Sequence, residues 1–136
     1  MITLLTGKKG SGKTKRLIEA TNAAVAASKG NVVVIAKGAN LTYDITSQAR
    51  LINIENYGIA GVEAMTGFVK GICAGNYDVT DIFVDSTLKI IGADADLEAL
   101  VAKFEALSKN AETNIVLSVS AAEEDIPAAV AQYVAK

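Results

Sequence analysis

Histidine and tryptophan are absent from this 136-residue chain, cysteine and proline occur once each, and aromatic residues make up only 5%. A lone cysteine, Cys73, cannot close an intramolecular disulfide, and without histidine there is no imidazole chemistry. Zinc clusters, a Ser-His-Asp triad and a Cys-His dyad are therefore excluded within the chain. No apolar run approaches the roughly 18 residues of a membrane span. Met1 to Thr6 is apolar over too few positions, before Gly7-Lys8-Lys9, for the core of a secretory signal. A formal net charge of −2 gives no general attraction to nucleic acid or acidic membranes. The few aromatics form no stripe interleaved with basic residues, which also counts against nucleic acid. With 51% apolar residues the chain is not disordered. These features predict a single, reduced, cytoplasmic, soluble domain spanning residues 1–136.

What is present is an alternation of short β-branched runs and longer amphipathic segments. Ile2–Leu5, Asn31–Ala36, Leu51–Ile54, Asp81–Asp85 and Asn114–Val119 read as strands, apolar enough to be covered on both faces. Between them, Leu17, Ile18, Thr21, Ala24 and Val25 form one helical stripe, and Ile59, Val62, Met65, Val69, Ile72 and Cys73 form a second. Leu97, Leu100, Val101, Phe104 and Leu107 form a third, with Asp94 or Asp96 as its cap. Gly30 and Gly75-Asn76 mark helix ends. A turn through Glu124-Asp125 and a last helix over 127–134, opened by Pro127, complete the pattern. The predicted fold class is α/β: a three-layer α/β/α sandwich with a five-stranded, mainly parallel sheet and right-handed crossovers. Lys37 to Arg50 lacks periodicity and reads as a functional or mobile loop. Cys73 falls on an apolar stripe and reads as core.

Charge is unevenly placed. Residues 1–16 carry Lys8, Lys9, Lys13, Lys15 and Arg16 and no acid, whereas residues 76–136 carry a formal −7. The basic cluster coincides with Gly7-Lys8-Lys9-Gly10-Ser11-Gly12-Lys13-Thr14, which fits G-x-x-x-x-G-K-[ST] between a predicted strand and a predicted helix. Glycines let such a loop wrap with its N–H groups inward, and the following helix adds the positive end of its dipole. Cations gathered around bare amides repel one another unless an anion joins them.

The segment resembles the Walker A loop of the P-loop nucleoside-triphosphatases over these eight residues. The resemblance implies ATP, or another nucleoside triphosphate, bound by Gly7, Lys8, Lys9, Gly10, Ser11, Gly12, Lys13 and Thr14. Lys13 would reach the β- and γ-phosphates, and the Thr14 hydroxyl would bind Mg²⁺. Ile82-Phe83-Val84-Asp85 resembles a Walker B strand, which implies Asp85 near the Mg²⁺; Asp81 would lie at the wrong end of a parallel sheet. Two predicted strands, 32–36 and 51–54, separate the loop from Asp85. That spacing is similar to the branch with a strand inserted between the two Walker strands, which includes RecA-like ATPases and thymidine-kinase-like proteins. Members often carry a water-polarising Glu after the Walker B Asp or on the inserted strand. Ser86 occupies the first position here, and Glu55, at the end of the strand taken as inserted, is the candidate substitute. Lys8 resembles the early Lys of partition-type ATPases, which acts across a dimer, but Lys9 replaces a glycine of that pattern. An exposed Lys lining the loop is the simpler reading.

Lys13, Asp85 and Glu55 are thus the catalytic candidates, with Thr14 and Asp85 for the metal. Of the two arginines, Arg16 reads as a surface cation, and Arg50 could act as a γ-phosphate sensor or finger; Tyr43 could stack on adenine. The function predicted is a small Mg²⁺-dependent ATPase or nucleotide switch. A non-hydrolysing sensing or assembly subunit, with a protein partner or as a homodimer, is one alternative. A small-molecule or nucleoside kinase is another, weakened by having only two Arg.

Overall fold

A computed structural model describes residues 1–135. Five strands form one sheet: β1 (Ile2–Thr6), β2 (Asn31–Ala36), β3 (Arg50–Asn53), β4 (Val79–Val84) and β5 (Asn114–Val119). Every pairing is parallel, and the order across the sheet is β1-β5-β4-β2-β3. The α-helices are α1 (Lys13–Ala27), α2 (Val62–Gly75), a short α3 (Thr87–Ile91) and α4 (Leu97–Ala111). The α/β sandwich expected from the alternation is the fold found, and the sheet is wholly parallel.

Strand side chains alternate between two cores. Leu4, Ile35, Ile82, Val84, Leu117 and Val119 join Met65, Val69, Leu100 and Phe104 under α2 and α4. Leu5, Val32, Val34 and Phe83 join Leu17 under α1. Asp96 caps α4 by accepting the Ala99 N–H at 3.0 Å. Gly30 follows α1 because the chain passes so close to the turn before β4: a Cβ there would stand 2.1 Å from the Asp78 carbonyl oxygen.

Three expectations need correction. The segment 37–50 is anchored rather than loose. Leu41, Ile45 and Ala49, spaced by four, are buried in the α1-side core, and the Asn22 side chain bonds the backbone of Asp44 and Thr46. The last segment is not an α-helix: Ala128–Tyr133 is a 3-10 helix. Its greater rise per residue carries the chain back to the sheet, where the Ala135 N–H donates to the Leu4 carbonyl at 2.9 Å and covers the outer edge of β1. Finally, the strand between β1 and β4 is β5, while the strand at 50–53 lies at the far edge.

The exposed face of α2 carries Gly67 and Gly71, and a Cβ at either would meet nothing within 4 Å. Each is expected to stabilise the fold by about 1 kcal/mol when changed to Ala, since interior helical glycine costs that much in backbone entropy. Urea unfolding of Gly67→Ala and Gly71→Ala checks this. A loss of stability would mean that the glycines serve a contact outside the chain.

Candidate functional site

In a parallel sheet all strands end on one edge, and there β1 runs into the turn Gly7–Gly12 and then α1. The turn has three residues with positive φ, Gly7 (146°), Gly10 (86°) and Gly12 (90°), a conformation that side chains oppose. At Gly7 space is also closed, because a Cβ would stand 2.2 Å from Ser11 Oγ. The Gly7 N–H donates to the Ala121 carbonyl at 2.9 Å, and the Ser11 N–H to the Lys8 carbonyl at 3.0 Å. These bonds fix the turn from below and across its neck.

Gly12 precedes α1 without any side-chain cap, and the first helical turn contains no acid. The first helical bond runs from the Arg16 N–H to the Gly12 carbonyl, 3.1 Å, leaving the amides of residues 13–15 without an intrahelical acceptor. Helix N-termini favour negative charge, yet this one carries Lys13, Thr14, Lys15 and Arg16. Lys13 is only 7% exposed, and among the described residues it makes no ion pair. Lys8, Lys9, Gly10, Ser11 and Gly12 are exposed around it. The surface there is basic and rich in backbone N–H donors without an intrahelical partner.

Asp85 follows β4 and is 4% exposed. Its N–H continues the ladder by donating to the Ile35 carbonyl at 2.9 Å. The Thr14 hydroxyl donates to Asp85 Oδ1 at 3.4 Å and the Ser86 hydroxyl to Oδ2 at 3.2 Å. The sequence-predicted residues 7–14 and Asp85 are thus brought together. Among the described residues no group of three or more His, Cys, Asp or Glu side chains could hold a metal ion. A cation at Thr14 and Asp85 would need oxygens from a ligand, which suits Mg²⁺ better than a metal that needs a full protein cage.

Other candidates lie elsewhere. Glu55 is exposed in a 3-10 turn after β3, its N–H bonded to Asn53 Oδ1 at 3.1 Å, and β2 stands between β3 and β4. It is therefore not at the end of the strand between β1 and β4, the place the resemblance implies for it. Arg50 begins β3, pairs with Val33 below the strand ends, and borders a hollow of about 360 Å³ at the sheet edge. Tyr43 is fully exposed. Asp81 is the third residue of β4, held by Thr80 and Asn114. A groove of about 840 Å³ opens between the C-terminal ends of α2 and α4, at the opposite edge of the sheet from the glycine turn. Cys73 lines it, and burial pushes its thiol pKa up, as befits a core residue.

Two features near Asp85 escaped the sequence reading. One is α3, only five residues long. The other is Ser118, a buried hydroxyl on β5 with no hydrogen-bond partner. The trace in the sequence was a single polar residue inside Ile115-Val-Leu-Ser-Val119.

No family model matches the chain, and no curated protein resembles it significantly. Function must then come from the site's own chemistry.

Proposed function

We propose that this protein binds a nucleoside triphosphate with Mg²⁺, ATP in the first instance, as a small and slow ATPase or nucleotide-dependent switch of the P-loop type. The observation that carries the reading is the uncapped, cation-rich glycine turn opening α1, with Thr14 held against Asp85 at 3.4 Å. The residues fit the ligand. The free amides of the first helical turn and the Lys13 ammonium supply donors for phosphoryl oxygens. Thr14 and Asp85 would hold Mg²⁺, whose chemistry when bound is to draw charge from the phosphoryl oxygens. Lys13, being buried, attracts that charge more strongly than an exposed Lys would.

What the site lacks supports slow turnover. Ser86 follows Asp85, and Glu55 stands beyond an intervening strand. Neither of the two positions at which the resemblance places a water-polarising Glu therefore supplies a second carboxylate beside Asp85. This favours a second reading, a subunit that holds nucleotide without cleaving it. Among the described residues no helix is long and apolar enough to cross a membrane.

Calorimetric titration with ATP, GTP and ADP, each with and without Mg²⁺, tests the proposal. ATP binding that weakens by at least about tenfold when Mg²⁺ is chelated is expected, with turnover far below the ~10 s⁻¹ median of enzymes. Absence of binding to all three nucleotides would reject it.

A further inference from the structure

The two edges of the sheet are finished differently. At β1 the chain closes its own edge: the Ala135 N–H bonds the Leu4 carbonyl, and Val134 bridges to Leu4. At β3 it does not. That strand pairs with β2 alone, and among the described residues no backbone bond from a loop reaches its outer side. An open strand edge is a template for another extended chain.

The space beside this edge is walled. The hollow of about 360 Å³ is lined by all four residues of β3, Arg50–Asn53, together with Thr42, Thr46 and Ser47 from the segment before it. That segment is fixed by its buried Leu41, Ile45 and Ala49, and by the Asn22 side chain, which bonds the Asp44 carbonyl at 3.3 Å and the Thr46 N–H at 3.2 Å. Ordering a long connection that has no regular structure costs conformational entropy, and such connections are commonly functional. Here the order yields a hydroxyl-bearing wall along an open strand. The lining also carries charge of one sign only. Arg50 is its single charged residue, is exposed, and makes no ion pair among the described residues. A guanidinium presents a fork of N–H donors that matches a carboxylate.

We infer that this hollow takes the end of an extended peptide as a sixth strand on β3, with a carboxylate of that peptide on the Arg50 guanidinium. Main-chain bonds to the strand edge supply affinity that does not depend on sequence, and the carboxylate fixes the register. At roughly 3.3 Å per residue β3 is about 13 Å long, which suits three or four peptide residues. The carboxylate is either the peptide's own C-terminus or an Asp or Glu side chain at that end. The glycine turn follows β1, at the opposite edge of the sheet, so the hollow works with or without nucleotide there.

The test titrates the nucleotide-free chain with three N-acetylated peptides built on Thr-Val-Thr-Val: one with a free C-terminus, one amidated, and one amidated after an added Glu. Amide NMR shifts report binding. One of the two carboxylate peptides is expected to bind at least about tenfold more tightly than the plain amide, shifting the amides of residues 50–53, and which one does so identifies the source of the carboxylate. Methylating alternate backbone nitrogens of that peptide should weaken it by about tenfold or more. Arg50→Gln should erase the preference for carboxylate without lowering the melting temperature, since the side chain is exposed and unpaired. Absence of binding by all three peptides overturns the inference, as does a carboxylate preference that survives Arg50→Gln. A methylated peptide that binds as well as its parent overturns it in favour of a site for small anions. A dimer in solution whose β3 amides resist hydrogen exchange overturns it in favour of a second copy at this edge.

Discussion

Lys13→Met is expected to abolish most Mg·ATP binding, lowering affinity by about a hundredfold, or about 3 kcal/mol, and yet to leave the nucleotide-free protein at least as stable as wild type. The two halves of this result have one cause. Lys13 is buried, with 7% of its surface exposed, and among the described residues it makes no ion pair. Its ammonium also sits in the first turn of α1, where the dipole opposes positive charge. Without a ligand the charge is a burden, since a partly desolvated and unpaired cation costs several kcal/mol at the extreme. Methionine keeps the length of the stem and its packing while removing that burden. With polyphosphate present the sign reverses, because the same desolvated charge strengthens a charge-assisted hydrogen bond. Thermal denaturation with and without Mg·ATP, beside calorimetry, reads both halves. A variant that binds ATP as wild type does would remove Lys13 from the site, and one that melts well below wild type without nucleotide would make it a structural residue.

Much of this was legible in the sequence because it depends on local pattern. The stripe Leu97, Leu100, Val101, Phe104 and Leu107 becomes α4, with four of the five buried, and Gly7–Thr14 becomes the strand-to-helix turn. Positive φ at Gly10 and Gly12 is a local demand that only glycine meets cheaply. Strand order is a different kind of information. Which strand lies between β1 and β4 is decided by pairing between segments distant in the chain, such as Leu4 with Leu117 and Ile82 with Ile115, and periodicity does not encode it. Chain order points to Glu55, but β5 and not β3 lies between β1 and β4. Leu41, Ile45 and Ala49 show why the segment at 37–50 was misread. Three buried residues among eleven polar or small ones are too sparse to register as a stripe, yet they suffice to pin the backbone to the α1-side core.

Phe104→Ala should produce the largest loss of stability, about 3–5 kcal/mol. Phe104 is completely buried at the centre of the core between the sheet and α4, where it shares contacts with the β4 and β5 side chains. Truncation there loses transfer free energy and leaves a cavity that rigid strands cannot close. Against a total of about 5–15 kcal/mol for a domain, the variant would approach the threshold of folding at physiological temperature. The substitution is on the face of the sheet opposite α1, so the glycine turn, Lys13 and Asp85 keep their places in the molecules that remain folded. Nucleotide should therefore rescue it. A ligand at about a hundred times its dissociation constant adds about 2.7 kcal/mol to the folded state. Urea unfolding of Phe104→Ala is expected to recover most of the lost midpoint when Mg·ATP is added, whereas the double variant with Lys13→Met should recover almost none. Recovery in the double variant would place nucleotide binding away from the glycine turn. Failure in both, with wild type stabilised normally, would mean that the two faces of the sheet are coupled more tightly than their separate cores suggest.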